Sequence, residues 1–251
     1  MVHKAKLATL TLNPAIDLTV SAPNFRAGQV NRARASRSDP GGKGVNVASI
    51  LADCGFPVAV TGFLGAENDH CFRRLFEQKG IDDRFVRIPG DTRTGIKVVD
   101  DVAQSTTDIN LPGLAPSQAE LAQLTAIVEA LAADHQWLVF SGSIPAGAPD
   151  TIYRDLLRRV QGCCVALDTS GEALRQALTA TPTVIKPNLD ELSELLARPL
   201  AGEDEILAAA RTFIQRGVRT VVVSLGAQGA LFVEADEAII ARPPATVVRS
   251  T

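Results

Sequence analysis

Short apolar, β-branched runs alternate along the chain with stretches of helical spacing. The runs fall at residues 7–12, 58–63, 137–140, 164–167, 183–185 and 220–224. Continuous apolar runs of this length fit strands buried on both faces. Between them, Val47, Ile50, Leu51 and Cys54 repeat at i, i+3, i+4 and i+7, and Gly55 supplies a helix stop. Leu121, Leu124, Val128 and Leu131 repeat similarly after Pro116, which predicts a helix start at that proline. Ile152, Leu156 and Val160 do so after Pro149-Asp150. Strands alternating with helices predict an α/β fold, doubly wound, with a mainly parallel sheet covered on both faces.

Two stretches break this rhythm. Residues 18–39 hold strand-like pieces with little helical pattern, and residues 94–111 read as a hairpin turning near Asp100-Asp101. Two β excursions from one core predict a small second sheet, a lid over the strand ends where α/β ligands bind.

Composition narrows the chemistry. With 251 residues, 46% hydrophobic and 21% charged, the chain can bury a sizeable core. Its 25 basic and 28 acidic residues give a formal net charge of −3, with no basic block. Nucleic acid and anionic membranes are therefore poor partners. No apolar run approaches the ~20 residues of a membrane span, and the N-terminus lacks a signal-peptide pattern. Cys54, Cys71, Cys163 and Cys164 have no C-x-x-C spacing and read as reduced, buried thiols of a cytoplasmic protein. His3, His70 and His135 have the surroundings of helix ends or a tail, which argues against zinc hydrolysis and Ser-His-Asp catalysis.

The strongest local signal is Pro40-Gly41-Gly42-Lys43-Gly44-Val45-Asn46, which opens a helix. Glycines let backbone N–H groups approach an anion, and a helix N-terminus and Lys43 add positive charge. It is neither a Walker A loop nor a dinucleotide fingerprint. Asn13-Pro14-Ala15-Ile16-Asp17 reads as the end of the first strand. Asp17 there suits a polyhydroxylated ligand, against the plainer reading of an Asx turn with a helix cap. Ser141-Gly142-Ser143-Ile144-Pro145 ends another strand, as a turn or as a phosphate or sugar contact. In Lys186-Pro187-Asn188-Leu189-Asp190-Glu191, a capping box explains Asn188 and Glu191 but not Lys186, which needs an anion nearby. Ser224-Leu225-Gly226-Ala227-Gln228-Gly229 is a hairpin turn or a wall for a flat ring. Together these motifs place phosphate-friendly groups after several parallel strands, as phosphoryl transfer requires.

In this order the motifs, with T-R-T-G-I-K-V, D-T-S-G-E-A and T-D-I-N-L-P-G, resemble the PfkB (ribokinase-like) family of sugar kinases from Leu10 to Thr251. The resemblance implies one kinase domain over 1–251, with β-lid segments near 18–39 and 94–111. It implies ATP and Mg2+ as cofactors and a sugar phosphate as acceptor. Fructose 1-phosphate is expected, with tagatose 6-phosphate and fructose 6-phosphate as alternatives. Asp17, Gly42, Lys43, Asn46, Arg93, Lys97, Asn110 and Ser143 match the substrate side. Lys186, Asn188, Ser224, Gly226 and Gly229 match the nucleotide side, and Glu191 and Asp168 the metal, the latter through water. A homodimer joined through the lid is also expected. The family continues past Ser250-Thr251 into a Gly-Ala-Gly-Asp motif carrying the anion hole and the general base. The 251 residues are thus expected to lack the C-terminal part of the fold and the catalytic base, and to be inactive alone. A sugar-phosphate or nucleotide sensor without turnover is the alternative from another class, and a dinucleotide-binding reductase a weaker third.

Overall fold

The computed structural model describes residues 5–244. In chain order its elements are β1 (Leu7–Thr11), β2 (Ala15–Ser21), β3 (Ala35–Gly41), α1 (Lys43–Asp53), β4 (Val58–Gly65), α2 (His70–Lys79), β5 (Asp82–Asp83) and β6 (Val86–Ile88). Then come β7 (Thr94–Asp100), β8 (Ser105–Asn110), α3 (Gln118–Asp134), β9 (Trp137–Ser141), α4 (Ile152–Leu157), β10 (Cys164–Asp168) and α5 (Gly171–Ala177). The last are β11 (Val184–Ile185), α6 (Leu189–Leu195), α7 (Gly202–Gln215), β12 (Thr220–Ser224), β13 (Ala230–Val233) and β14 (Ala238–Ala241).

The main sheet has the order β14-β13-β12-β11-β10-β9-β1-β4-β5, with β6 also on β4. From β12 to β5 the pairing is parallel, and β13 and β14 close one edge antiparallel. Strand β4 shows why the runs are continuously apolar. Its Ala59 and Phe63 join a cluster with Leu124, Val128 and Phe140, while Val58, Val60 and Leu64 join Val45, Ala48, Phe72 and Phe76. Successive side chains point to opposite faces, and helices cover both.

Strands β3-β2-β7-β8 form a separate four-stranded sheet. It grows from the C-terminal end of β1, since only residues 12–14 separate β1 from β2. Asp100 ties its far end together. That carboxylate, only 3% exposed, accepts N–H bonds from Asn24 (2.9 Å), Phe25 (2.8 Å), Val102 (3.0 Å) and Ala103 (3.0 Å).

Several local expectations change. The buried face of α1 is Gly44, Val45 and Ala48, whereas Ile50 of the predicted stripe is 62% exposed. Small residues let this helix lie close on the sheet, so volume and not hydropathy sets its inner face. Helix α3 starts on Ser117, capped reciprocally with Glu120, so Pro116 stands just outside the helix. None of the four cysteines is in a disulfide, but Cys54 is exposed and the others are half-buried. Burial pushes the Cys163 thiol up to about 11. His70 and His135 do sit at helix ends, and His3 lies outside the described residues.

Candidate active site

The floor of the site is a row of strand ends. Thr11, Ser141 and Asp168 finish β1, β9 and β10 in register with one another. Strand β1 connects forward to β4 on one side while β9 flanks it on the other, so the crevice between β1 and β9 is the topological switch point. The Thr11 and Ser141 hydroxyls are buried there without a hydrogen-bond partner among the described residues. Directly above them is Gly44, whose own carbonyl accepts from Thr9 Oγ1 at 2.9 Å. A Cβ on Gly44 would overlap Thr11 Oγ1, so glycine is what lets the first turn of α1 rest on the floor. Tyr153, fully buried, donates to the carbonyls of Ser141 (3.2 Å) and Gly142 (3.1 Å). Burial, then the Asp168 charge, pushes the phenol's pKa up, so it remains a donor.

Helix α1 begins without a side-chain cap, on Gly42 at φ 119°, and has no acidic residue in its first turn. Its first N–H groups are therefore left for an anion. Lys43 lies at this end. Its Nζ is 3.0 Å from Asp168 Oδ1, and Lys186 Nζ is 3.3 Å from Asp168 Oδ2. The structure thus joins three of the expected residues around one carboxylate. Lys186 is half-exposed at the end of β11, and the anion it required is Asp168 of the same chain. Asn46 is exposed on α1, its N–H bonded to the Gly42 carbonyl.

A second group gathers around Asn13. Its Nδ2 donates to Ser143 Oγ at 3.1 Å, and its carbonyl accepts from Arg93 Nε (3.4 Å) and Nη2 (3.3 Å). Asn13 is not among the expected site residues. The amide's place between two site loops is a tertiary fact that local chemistry does not signal.

The third group lies on the small sheet. Asp17 is in β2, not in a turn after β1, and no helix follows it. Across the sheet run Asp39, Asp17, Gly95 and Asn110 in one row, and Arg37, Thr19, Lys97 and Asp108 in the next along the same face. A side chain on Gly41 would overlap the Asp17 carboxylate, and one on Gly95 would stand 3.1 Å from it. Those two glycines make room for Asp17, a duty of Gly41 besides the anion approach expected of its motif. Desolvation raises the Asp17 pKa first; Lys97 and Arg93 pull it down, Asp39 and Asp108 push it up, and the net shift is upward.

Asn188 and Glu191 form the capping box of α6: Asn188 N–H donates to Glu191 Oε2 (2.9 Å) and Glu191 N–H to Asn188 Oδ1 (2.8 Å). Ser224 bridges to Asn188 beside them. Gly226 opens onto free space at φ 58°, but Gly229 has a structural duty: its missing Cβ faces the Ala241 carbonyl of the hairpin β13–β14. Among the described residues no group of three or more His, Cys, Asp or Glu could hold a metal, and no helix is long and apolar enough to cross a membrane.

A parallel sheet with a bare helix N-terminus at its switch point and paired lysines beside the neighbouring strand ends defines an α/β protein that handles phosphate groups. The sequence matches the pfkB family of carbohydrate kinases over residues 10–251, and the chain belongs to that family. It is 49% identical over 249 residues to a protein of Rhodobacter capsulatus named 1-phosphofructokinase, covering 98% of this chain and 79% of that one. The Escherichia coli K12 protein of the same name is 36% identical over 248 residues, covering 98% and 79%. Among solved structures, E. coli phosphofructokinase-2 in complex with fructose-6-phosphate superposes with a TM-score of 0.90 at 30% identity, covering 98% of this chain and 82% of that one. The fold is therefore ribokinase-like.

Proposed function

We propose that the protein transfers the γ-phosphoryl of ATP to the free primary hydroxyl of fructose 1-phosphate, giving fructose 1,6-bisphosphate. The carrying observation is the presence of two separate cation stations. Arg93, beside Asn13 and Ser143, with Lys97 on the small sheet, suits the phosphate already on the acceptor. Lys186, at the strand ends, suits the phosphates of the nucleotide, and Lys43, at the α1 N-terminus, reaches the same carboxylate, Asp168, from the acceptor side. Asp17 and Asn110, one strand to either side of Gly95, suit sugar hydroxyls beneath a lid. The relatives named 1-phosphofructokinase support this acceptor.

Catalysis on this reading is mostly positioning and charge stabilisation. The acceptor hydroxyl attacks the γ-phosphorus, the bond to the β–γ bridging oxygen breaks, and ADP leaves. Magnesium usually binds through one or two carboxylates, water and substrate phosphates, and Asp168 and Glu191 fit such a role better than an all-protein cage. When bound, it would neutralise charge on the transferring phosphates. The general base is assigned to the aspartate of the family's Gly-Ala-Gly-Asp motif. Residues 1–251 alone are proposed to bind ligands without measurable turnover. Cysteines held as thiols rather than disulfides support a cytoplasmic setting.

The test follows ADP release with fructose 1-phosphate, tagatose 6-phosphate and fructose 6-phosphate, on the 251 residues and on a chain extended through that motif. Fructose 1-phosphate should turn over fastest, and only in the extended chain. Faster turnover of fructose 6-phosphate would favour the reading that the phosphofructokinase-2 complex supports. Tight binding without ADP release by the extended chain would make the protein a sensor. Turnover by residues 1–251 would show the base to lie within them.

A further inference from the structure

We propose that Asn68 and Thr92 are positioning residues that aim Arg93 at the substrate phosphate. The inference rests on the phosphate role of Arg93 given above. Thr92, immediately before Arg93, is 3% exposed and held on three sides. Its Oγ1 accepts from the Gly65 N–H at 2.8 Å. Its N–H donates to Asn68 Oδ1 at 2.8 Å, and its carbonyl accepts from Asn68 Nδ2 at 2.9 Å. The Asn68 amide therefore pairs with the Thr92 peptide units as a neighbouring strand would. Only a planar group with a donor and an acceptor side by side can do this, which Asn provides and Asp does not.

The placement gives the clamp its consequence. Gly65 ends β4 of the main sheet, and a Cβ there would collide with the 90–92 backbone. One residue later the Arg93 carbonyl accepts from the Ile16 N–H at 2.8 Å, the first bond of that segment to the small sheet. Thr92 is thus the last residue fixed to the body, and Arg93 the first bonded to the small sheet. The guanidinium's contacts with the Asn13 carbonyl, at 3.3 and 3.4 Å, are long for hydrogen bonds and cannot fix the side chain by themselves. An Arg side chain also carries about 2 kcal/mol of rotamer entropy. The direction in which Arg93 leaves the backbone is therefore set between the clamp at Thr92 and the Ile16 bond to its own carbonyl.

Asn68→Asp keeps the acceptor for the Thr92 N–H and sets an oxygen against its carbonyl. Thr92→Val keeps the shape and removes the acceptor for Gly65; Thr92→Ser keeps the acceptor. In the intact protein, Asn68→Asp and Thr92→Val should raise KM and the calorimetric Kd for fructose 1-phosphate about tenfold, as loss of one hydrogen bond would. KM for ATP should stay unchanged, and Thr92→Ser should bind as the parent does. In an Arg93→Ala background, Asn68→Asp should add nothing, since it acts only through Arg93. Additive losses, or equal losses for ATP and fructose 1-phosphate, would mean general damage and overturn the inference. Weak binding by Arg93→Ala with normal binding by Asn68→Asp and Thr92→Val would overturn it alone. Normal fructose 1-phosphate binding by Arg93→Ala would overturn the phosphate assignment and this inference with it.

Discussion

Substitution of Gly44 by alanine tests how closely α1 must lie on the floor. The added Cβ would overlap Thr11 Oγ1 and stand 2.9 Å from Ser141 Oγ and 3.1 Å from the Leu10 carbonyl oxygen. None of these is the far end of a flexible side chain: Thr11 is β-branched, Ser141 is buried at a strand end, and Leu10 O is backbone. The helix must rise by roughly 1 Å to restore ordinary contact distances. Overpacking of this kind costs about 1–3 kcal/mol. At about 2–4 °C per kcal/mol for a chain of this size, Tm should fall by roughly 2–12 °C. The larger effect falls on function. Lys43 and Asn46 ride on the displaced turn, and a 1 Å misplacement of a positioning group can cost about 100-fold in rate. Thr11→Ala removes the overlapping oxygen, so adding it to Gly44→Ala should recover much of the loss. The assay is coupled ADP release by the chain extended through the Gly-Ala-Gly-Asp motif, alongside differential scanning calorimetry. Parental Tm and kcat/KM in Gly44→Ala would refute the reasoning, and failure of Thr11→Ala to restore anything would place the clash elsewhere.

Two other outcomes are expected. Four backbone N–H bonds, the one from Ala103 foremost, hold the Asp100 carboxyl below its ordinary pKa of about 3.9, so its contribution is complete above that value and lost as pH falls through the lowered one. Asp100→Asn should remove it at every pH and speed amide exchange at Asn24, Phe25, Val102 and Ala103, and unchanged protection there would sink this account of the small sheet's tip. Strand β8 is exposed throughout and β3 over most of its length, so we expect two small sheets to pair in a homodimer; sedimentation of the intact protein as a monomer at micromolar concentration would exclude it.

Much of this arrangement is legible in the sequence. Uninterrupted apolar runs between helical stretches state the parallel sheet, because a strand covered on both faces leaves no polar alternation to misread. The glycine-lysine turn at residues 40–44 states its own chemistry, since few plain helix caps need so many bare residues. What cannot be read is contact across the fold. The inner face of α1 is set by the smallness of Gly44 and Ala48, which a hydropathy pattern ranks below Ile50. Gly229 also makes room for the Ala241 carbonyl, a contact its turn sequence does not signal. Asp17 follows a strand in sequence, yet its surroundings come from β3 and β7, tens of residues away. Asn13 and Asn68 are ordinary turn residues in the sequence; their hydrogen bonds to Ser143 and Thr92 span 130 and 24 positions.

The carboxylate of Asp168 stands between two ammonium groups, one from the helix side and one from the strand side of the cleft. It is a built-in competitor for whatever anion arrives. A phosphate drawing Lys43 or Lys186 away must replace a bond already made, so the attraction it feels is the remainder after Asp168 has taken its share. By linkage, a phosphate that takes one lysine leaves the carboxylate to the other, so on this reading the two lysines cannot be drawn off independently. If the two lysines hold phosphates as proposed, one acidic side chain weakens the grip of each on a passing anion and makes occupancy on one side of the cleft felt on the other.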